Sequence, residues 1–397
     1  MRGLGEEMLS ILGPEGWLTG SEQIAGYVTD WTGRWSSEPL GVALAKTVDA
    51  VQKVVNAARA AGVAVVIQGG NTGLVGGAVG GAAPHLILST RRLRERMDVN
   101  TSDSTMSASS GWTLSEVQAE AQRHGLQYPV DLASRDSATI GGTAATSAGG
   151  LRVVAFGDTS RQVLDTLYVD ERGELVRGTG PVGLEGTTGV IVELKLRLRR
   201  PRPAQWTALV PCKSITHAVA TAHIAGNGVL AAELMAGWQA QRVAEAAGLP
   251  LLDPAAWWLL LEGDEGIELL PEDALVAMDS RDAERFWRYR ELHTEVISRQ
   301  RQVLKLDAAV PVERQEEFVA AALRSAPGAW VFGHVLVGNL HLAVPDCEDP
   351  EAMEAVLISH MLACGGQLAG EHGVGQAKAR FTGVCREEAL FNPQIAR

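Results

Sequence analysis

Two glycine-rich segments restrict this chain more than any other feature. VAVVI (Val63 to Ile67) reads as a buried strand and runs directly into QGGNTGLVGGAVGG, and TIGGTAATSAGG follows from Thr139 to Gly150. Glycine is needed where φ is positive or where a side chain would block a ligand. Backbone N–H groups freed in such a loop can close on a pyrophosphate. A tight structural turn explains either segment alone; two loops of the same character favour the pyrophosphate. The first is no Rossmann fingerprint, because the GxGxxG spacing is missing and no helix clearly follows, and no GK[ST] marks a Walker loop.

The surrounding pattern is mixed. Val48, Val51, Val54, Val55 and Ala58 share one face of a helix from Thr47 to Gly62, with Thr47 as N-cap. HLILST and the run around Ser104 to Ser110 read as strands, and Thr113 with Glu116 makes a capping box for a helix to Gly125. VLDTLYV, a DERG turn and ELV form a hairpin, and GVIVELKLRLRR alternates as a half-buried strand. Pro201 to Pro203 marks a boundary. Beyond it strand, helix and strand alternate through TALVP, Ser214 to Gly226 and VLAAELMA, then through WWLLLEG and a long helix from about Asp282 to Arg301. The sum is an α+β fold, its later part built on an antiparallel sheet.

Composition excludes several classes. The chain has 397 residues, 46% hydrophobic and 21% charged, with 35 basic and 47 acidic residues for a net charge of -12. No basic surplus exists to displace nucleic-acid counterions, so nucleic acid is not expected as a partner. Cys212, Cys347, Cys364 and Cys385 show no CxxC spacing, which suits a reducing cytoplasm. No run approaches the roughly 20 apolar residues of a transmembrane span, and MRGLGEEMLSILGPEGW lacks a signal-peptide core.

GHVLVGNLHLAV, from Gly333 to Val344, puts two histidines into apolar, strand-like sequence. If the hairpin turns about Val337 and Gly338, His334 lies opposite His341, with both rings on one face and Cβ atoms about 4.5–5.5 Å apart. Hydrogen-bonded core histidines are one reading. The other is a divalent cation, for which GEHGVG adds a carboxylate, Glu371, with His372 beside it.

Five ordered motifs, QGGNTGLVGG, DLASRDSATIGGTAATSAGG, EGTTGVIVELKLRL, GHVLVGNLHLAV and GGQLAGEHGVGQAK, resemble the FAD-linked D-2-hydroxyacid dehydrogenases, flavoproteins of the vanillyl-alcohol oxidase type. The resemblance spans nearly the whole chain. It implies non-covalent FAD at Gly69, Gly70, Asn71, Thr72, Gly73, Gly76 and Gly77, at Ser137, Thr139, Gly141, Gly142, Thr143 and Gly149, and at Gly189 and Val190. It implies zinc or a similar divalent ion on His334, His341 and Glu371, and His372 as the catalytic base. Arg290 and Thr294, at i and i+4 of one helix, and Lys305 match residues that grip a distal carboxylate, which favours D-2-hydroxyglutarate. The implied architecture is a PCMH-type FAD-binding domain over residues 1–203, an antiparallel-sheet substrate (cap) domain over 204–370, and a segment over 371–397 returning to the first.

Leu336-Val337 stands where the family usually has Gly-Asp, and Ala343 where it often has Asn. These departures leave alternatives open: D-lactate, glycolate or a larger metabolite as substrate, or a flavin-binding protein without this activity. A flavin-free metal hydrolase is the rival from outside the family. The acceptor is left as an electron-transfer flavoprotein or a quinone, and a homodimer as the assembly.

Overall fold

Thr47 opens the first long helix as its sequence predicts, its hydroxyl accepting from the Ala50 N–H, and the helix runs Val48–Ala60. Val51, Val54, Val55 and Ala58 on its inner face are buried with Val65, Leu86, Leu88, Val169, Val190 and Val192. Each valine so removed from water contributes roughly 1.5–3 kcal/mol. The computed structural model describes residues 2–384 and 389–395, so Cys385 and the end of LFNPQIAR lie outside the described residues. By its contacts the chain forms two units: Met1–Gly150, Gly157–Pro201 and His372–Arg397 make the first, Leu151–Phe156 and Arg202–Glu371 the second.

In the first unit, β1 (Trp17–Leu18), β2 (Val42–Leu44), β3 (Ala64–Gln68) and β4 (His85–Ser89) form a sheet in the order β1-β2-β4-β3. Its β2–β4 and β3–β4 pairs are parallel. A second, antiparallel sheet takes β5 (Met97–Asn100), β6 (Thr105–Ser109), β7 (Val163–Val169), β8 (Leu175–Arg177) and β9 (Val190–Arg197) in the order β5-β6-β9-β7-β8. The alternating strand β9 is thus central, with Val190, Val192, Leu194 and Leu196 buried. Leu390 and Phe391 return to β3, the Val65 N–H donating to the Leu390 carbonyl at 2.7 Å.

The second unit is one antiparallel sheet of β10 (Trp206–Cys212), β11 (Val229–Ala236), β12 (Trp257–Gly263), β13 (Leu275–Ala277), β14 (Leu304–Ala309), β15 (Trp330–His334) and β16 (Asn339–Val344). Their order is β13-β10-β12-β11-β15-β16-β14. Arg152 ties the short Leu151–Phe156 piece to this sheet through a bidentate pair with buried Glu262, at 2.7 and 3.1 Å.

Three local expectations change. The segment TIGGTAATSAGG is not all loop: Ile140–Thr146 is helical, capped by the Thr139 hydroxyl. Small residues let it pack tightly, with Gly141 against Ser110. The long helix is broken into Ser280–Glu291 and His293–Ser298 at Leu292. There the His293 ring donates to the Tyr289 carbonyl, the acceptor that an unbroken ladder assigns to the backbone N–H of residue 293. The histidine hairpin turns over four residues, Val335 to Gly338, with Gly338 at φ +73°. His334 therefore pairs with Asn339 and His341 with Phe332. A register change of two residues preserves the face, so the two histidines remain on one side as diagonal neighbours instead of facing partners.

Candidate functional site

The first unit offers backbone. Among the described residues, no backbone N–H from Gly69 to Val79 finds a protein acceptor. Most of these residues are half-buried or buried, where backbone donors are ordinarily paired with protein or water. The two glycine segments meet here: a Cβ on Gly70 would lie 2.0 Å from the Ser137 carbonyl oxygen, and one on Gly69 2.5 Å from the Thr139 hydroxyl. Asn71 takes φ +55° and donates its amide to the Thr29 carbonyl, while its buried Oδ1 has no partner. Thr72 is half-buried and Gly73 exposed on the same loop, with Gly76 and Gly77 turning its end. Thr139, Gly141, Gly142 and Thr143 form the cap and first turn of the short helix, Ser137 is exposed and Gly149 buried. Gly189 lies against Tyr168 and Val169, and the Val190 side chain packs in the core, leaving its backbone alone for a ligand.

The sheet of the second unit offers side chains, set in rows by register. Glu233 on β11 stands opposite His334 on β15, which stands opposite Asn339 on β16. One step along, Met235, Phe332, His341 and Asp307 form the next row, and Trp330, Ala343 and Lys305 the one after. All project from one face, because side chains two apart on a strand share it. His334 donates Nδ1–H to Glu233 at 2.5 Å. Nδ1 of His341 lies 3.5 Å from Asp307, an ion-pair distance longer than a good hydrogen bond. The two rings are 5.6 Å apart, and their Nε2 atoms face one oxygen of Glu371, at 3.4 Å from His334 and 3.8 Å from His341.

Electrostatics follow this arrangement. Burial would raise Glu233, but the charges of His334 and Arg290 hold it below the ordinary carboxylate value. Burial pulls the His334 imidazole down, yet Glu233 and then Glu371 outweigh it and push it up to about 10. Asp307 accepts from the Asn339 amide at 2.8 Å, and its other oxygen lies 2.2 Å from where a Cβ on Gly370 would sit. Only a glycine lets the chain pass so near this carboxylate just before Glu371.

FAD binding domain and FAD linked oxidases, C-terminal domain, are the two families matched, over residues 39–179 and 202–392. A D-2-hydroxyglutarate dehydrogenase of Xanthomonas citri pv. viticola is 33% identical over 404 residues, covering 89% of this chain and 85% of that protein. The chain belongs to the FAD-linked oxidases. It is an FAD-dependent oxidoreductase of the D-2-hydroxyacid dehydrogenase family, which removes the flavin-free hydrolase. A D-2-hydroxyglutarate dehydrogenase of Stutzerimonas stutzeri is 27% identical, covering 97% of this chain and 93% of that protein. The fold is that of p-cresol methylhydroxylase, with a TM-score of 0.75 at 14% identity over 96% of this chain and 91% of that one. Among the described residues no helix is long and apolar enough to cross a membrane.

The remaining residues of this FAD-linked oxidase separate. Arg290 is buried and donates Nε–H to Glu233 at 2.6 Å, its guanidinium 4.7 Å above the Phe332 ring. Thr294, beyond the helix break, is exposed. Lys305 reaches the hydroxyl of Ser298 at 3.2 Å, one turn after Thr294 on the same short helix. His372 follows Glu371 in the chain and belongs to the first unit. Sequence reasoning missed Glu233, Asp307 and Glu185. Glu185 takes φ +52° and accepts the N–H groups of Val374 and Gly375, both at 2.8 Å, which anchors the stretch after His372. The signal for Glu233 was there: a lone carboxylate inside VLAAELMA, a strand otherwise apolar and wholly buried.

Proposed function

We propose that this FAD-linked oxidoreductase oxidises a D-2-hydroxyacid, with D-2-hydroxyglutarate to 2-oxoglutarate the favoured reaction. The observation that carries it is the convergence of two imidazole Nε2 atoms on one oxygen of Glu371. Two ligands bound at about 2.0–2.1 Å with tetrahedral angles stand about 3.3 Å apart, close to the spacing seen. His334, His341 and Glu371 would hold a divalent cation, zinc being the favoured one. Asp307, His341 and Glu371 also keep one ligand atom each within 4.8 Å of one another. His334 completes the better set, because Asp307 is already engaged by Asn339 and faces the far nitrogen of His341.

When bound, FAD supplies the two-electron acceptor and the cation the Lewis acid that makes an α-hydroxyl more acidic. His372 takes the hydroxyl proton as general base. Arg290 keeps both Nη groups for a distal carboxylate while its Nε serves Glu233, and Lys305 with Thr294 adds a second cationic arm. The unpaired N–H groups from Gly69 to Val79 take the pyrophosphate of non-covalent FAD. Two relatives named D-2-hydroxyglutarate dehydrogenase support this substrate class.

A second reading has its own observation. Ala343 is buried among Trp330, Phe332, Val243 and Ile297, an apolar wall beside Lys305 that suits a bulkier or less polar hydroxyacid. Anaerobic mixing with a panel of D- and L-2-hydroxyacids, with and without chelator, tests both. Chelator-sensitive flavin bleaching by D-2-hydroxyglutarate is expected. Bleaching by D-lactate or a larger acid alone moves the substrate, bleaching indifferent to chelator removes the metal, and none at all leaves a flavin-binding protein without this activity. Reoxidation by an electron-transfer flavoprotein or a quinone analogue identifies the acceptor.

A further inference from the structure

We infer that Glu233 is a positioning residue for the metal site: it fixes His334 through Nδ1 so that Nε2 faces Glu371, and Arg290 fixes Glu233 in turn. The inference rests on the metal reading of His334, His341 and Glu371 above. A neutral imidazole carries its proton on either nitrogen, and only the form protonated on Nδ1 presents an Nε2 lone pair to a cation. A carboxylate on the far nitrogen selects that form and holds the ring plane, and such outer partners typically govern about 10–100-fold in metal affinity.

The geometry here is specific. Glu233 and His334 are directly opposed across β11 and β15, so the bond between them is set by strand register. One Glu233 oxygen accepts from His334 Nδ1 at 2.5 Å and the other from Arg290 Nε at 2.6 Å. All three side chains are nearly inaccessible, at 0% for Glu233, 4% for His334 and 7% for Arg290. A structural role alone accounts poorly for them, because a buried ion pair is often replaced by apolar residues with no loss of stability. The chain of contacts has a direction instead: from Arg290 through Glu233 and His334 to the oxygen of Glu371 3.4 Å beyond. At His341 the corresponding distance is longer, its Nδ1 standing 3.5 Å from Asp307, which also accepts from the Asn339 amide.

The test uses the flavin-loaded protein stripped of metal and titrated with cobalt(II) against a competing chelator, with visible absorption reporting the ligand field. Glu233→Gln is expected to bind cobalt about 10–100-fold more weakly, with an altered visible spectrum and unchanged flavin content. Arg290→Lys, which keeps the charge but cannot present Nε side-on, is expected to weaken binding in the same direction by less. Folded Glu233→Gln with wild-type cobalt affinity and spectrum overturns the inference. If Glu233→Gln does not fold, wild-type affinity and spectrum in Arg290→Lys overturns it instead. A wild-type protein that binds no cobalt defeats the metal reading itself, a result distinct from both.

Discussion

The two units carry chemistry in opposite ways. In the first, the groups proposed to meet a ligand are backbone N–H donors between Gly69 and Val79, in a stretch rich in glycine. In the second, the backbone is consumed by a seven-stranded ladder, and the proposed chemistry falls to side chains standing in cross-strand rows. At Gly70 the backbone site tolerates no side chain, because an added atom collides with another piece of backbone. A side-chain site on a sheet tolerates changes of shape but depends on register, since a slip of one residue would send His334, His341 and Glu233 to the other face.

The largest effect expected from this contrast is at Gly70. Its Cβ position lies 2.0 Å from the Ser137 carbonyl oxygen, an atom of fixed backbone. Gly70→Val should cost about 3 kcal/mol or more at the meeting of the two glycine segments and yield protein without FAD. The ratio of flavin to protein absorbance after dialysis measures it; full retention would show that the segments do not form the cradle. Glu371→Gln makes the complementary break. It should lower metal affinity by more than about 100-fold, beyond what outer-sphere residues govern, while flavin content stays at the wild-type level. A parallel loss of flavin would erase the distinction between the two sites.

This division also explains what could be read from the sequence. Glycine spacing is local, so QGGNTGLVGG was legible as a loop following a strand, and capping signals at Thr47 and Thr113 placed helices that do begin there. The face shared by His334 and His341 was legible because alternation survives an even change of register, although the turn itself was misplaced by the four-residue loop ending at Gly338. Glu233 and Asp307 were not found, because nothing local couples them to histidines 101 and 34 residues away; only the strand order brings them opposite. The break at Leu292 was hidden for a similar reason. No proline or glycine marks it, and the His293 ring takes the Tyr289 carbonyl there.

A smaller effect separates the cationic arms. If Lys305 receives a distal carboxylate, Lys305→Met removes a charge-assisted hydrogen bond worth roughly 1.5–3 kcal/mol, so KM for a dicarboxylic hydroxyacid should rise about 10–100-fold. KM for a monocarboxylic one should be unchanged. Equal changes for both would place Lys305 outside substrate recognition, leaving its bond to Ser298 as a purely structural one.

The smallest effect is on stability and belongs to the second unit. His293 is fully buried against Trp330 and Phe332, gives its Nδ1–H to Tyr289, and leaves Nε2 without a partner. Burial first, and the nearby Arg290 charge second, push this imidazole down to about 3. Its ordinary value is about 6.5, so the unfolded chain takes up a proton that the folded one refuses. The stability it contributes is complete above pH 6.5 and is lost as pH falls toward 3, at up to about 1.4 kcal/mol per pH unit. By pH 5 the loss should reach about 2 kcal/mol. His293→Leu removes the titrating group, so its unfolding free energy should fall less between pH 7 and pH 5 than that of the wild type, by about that amount. Parallel curves for the two proteins would mean that the ring is reached by water or a proton donor in the folded state, and that the side-chain unit is less tightly closed around Phe332 than its distances indicate.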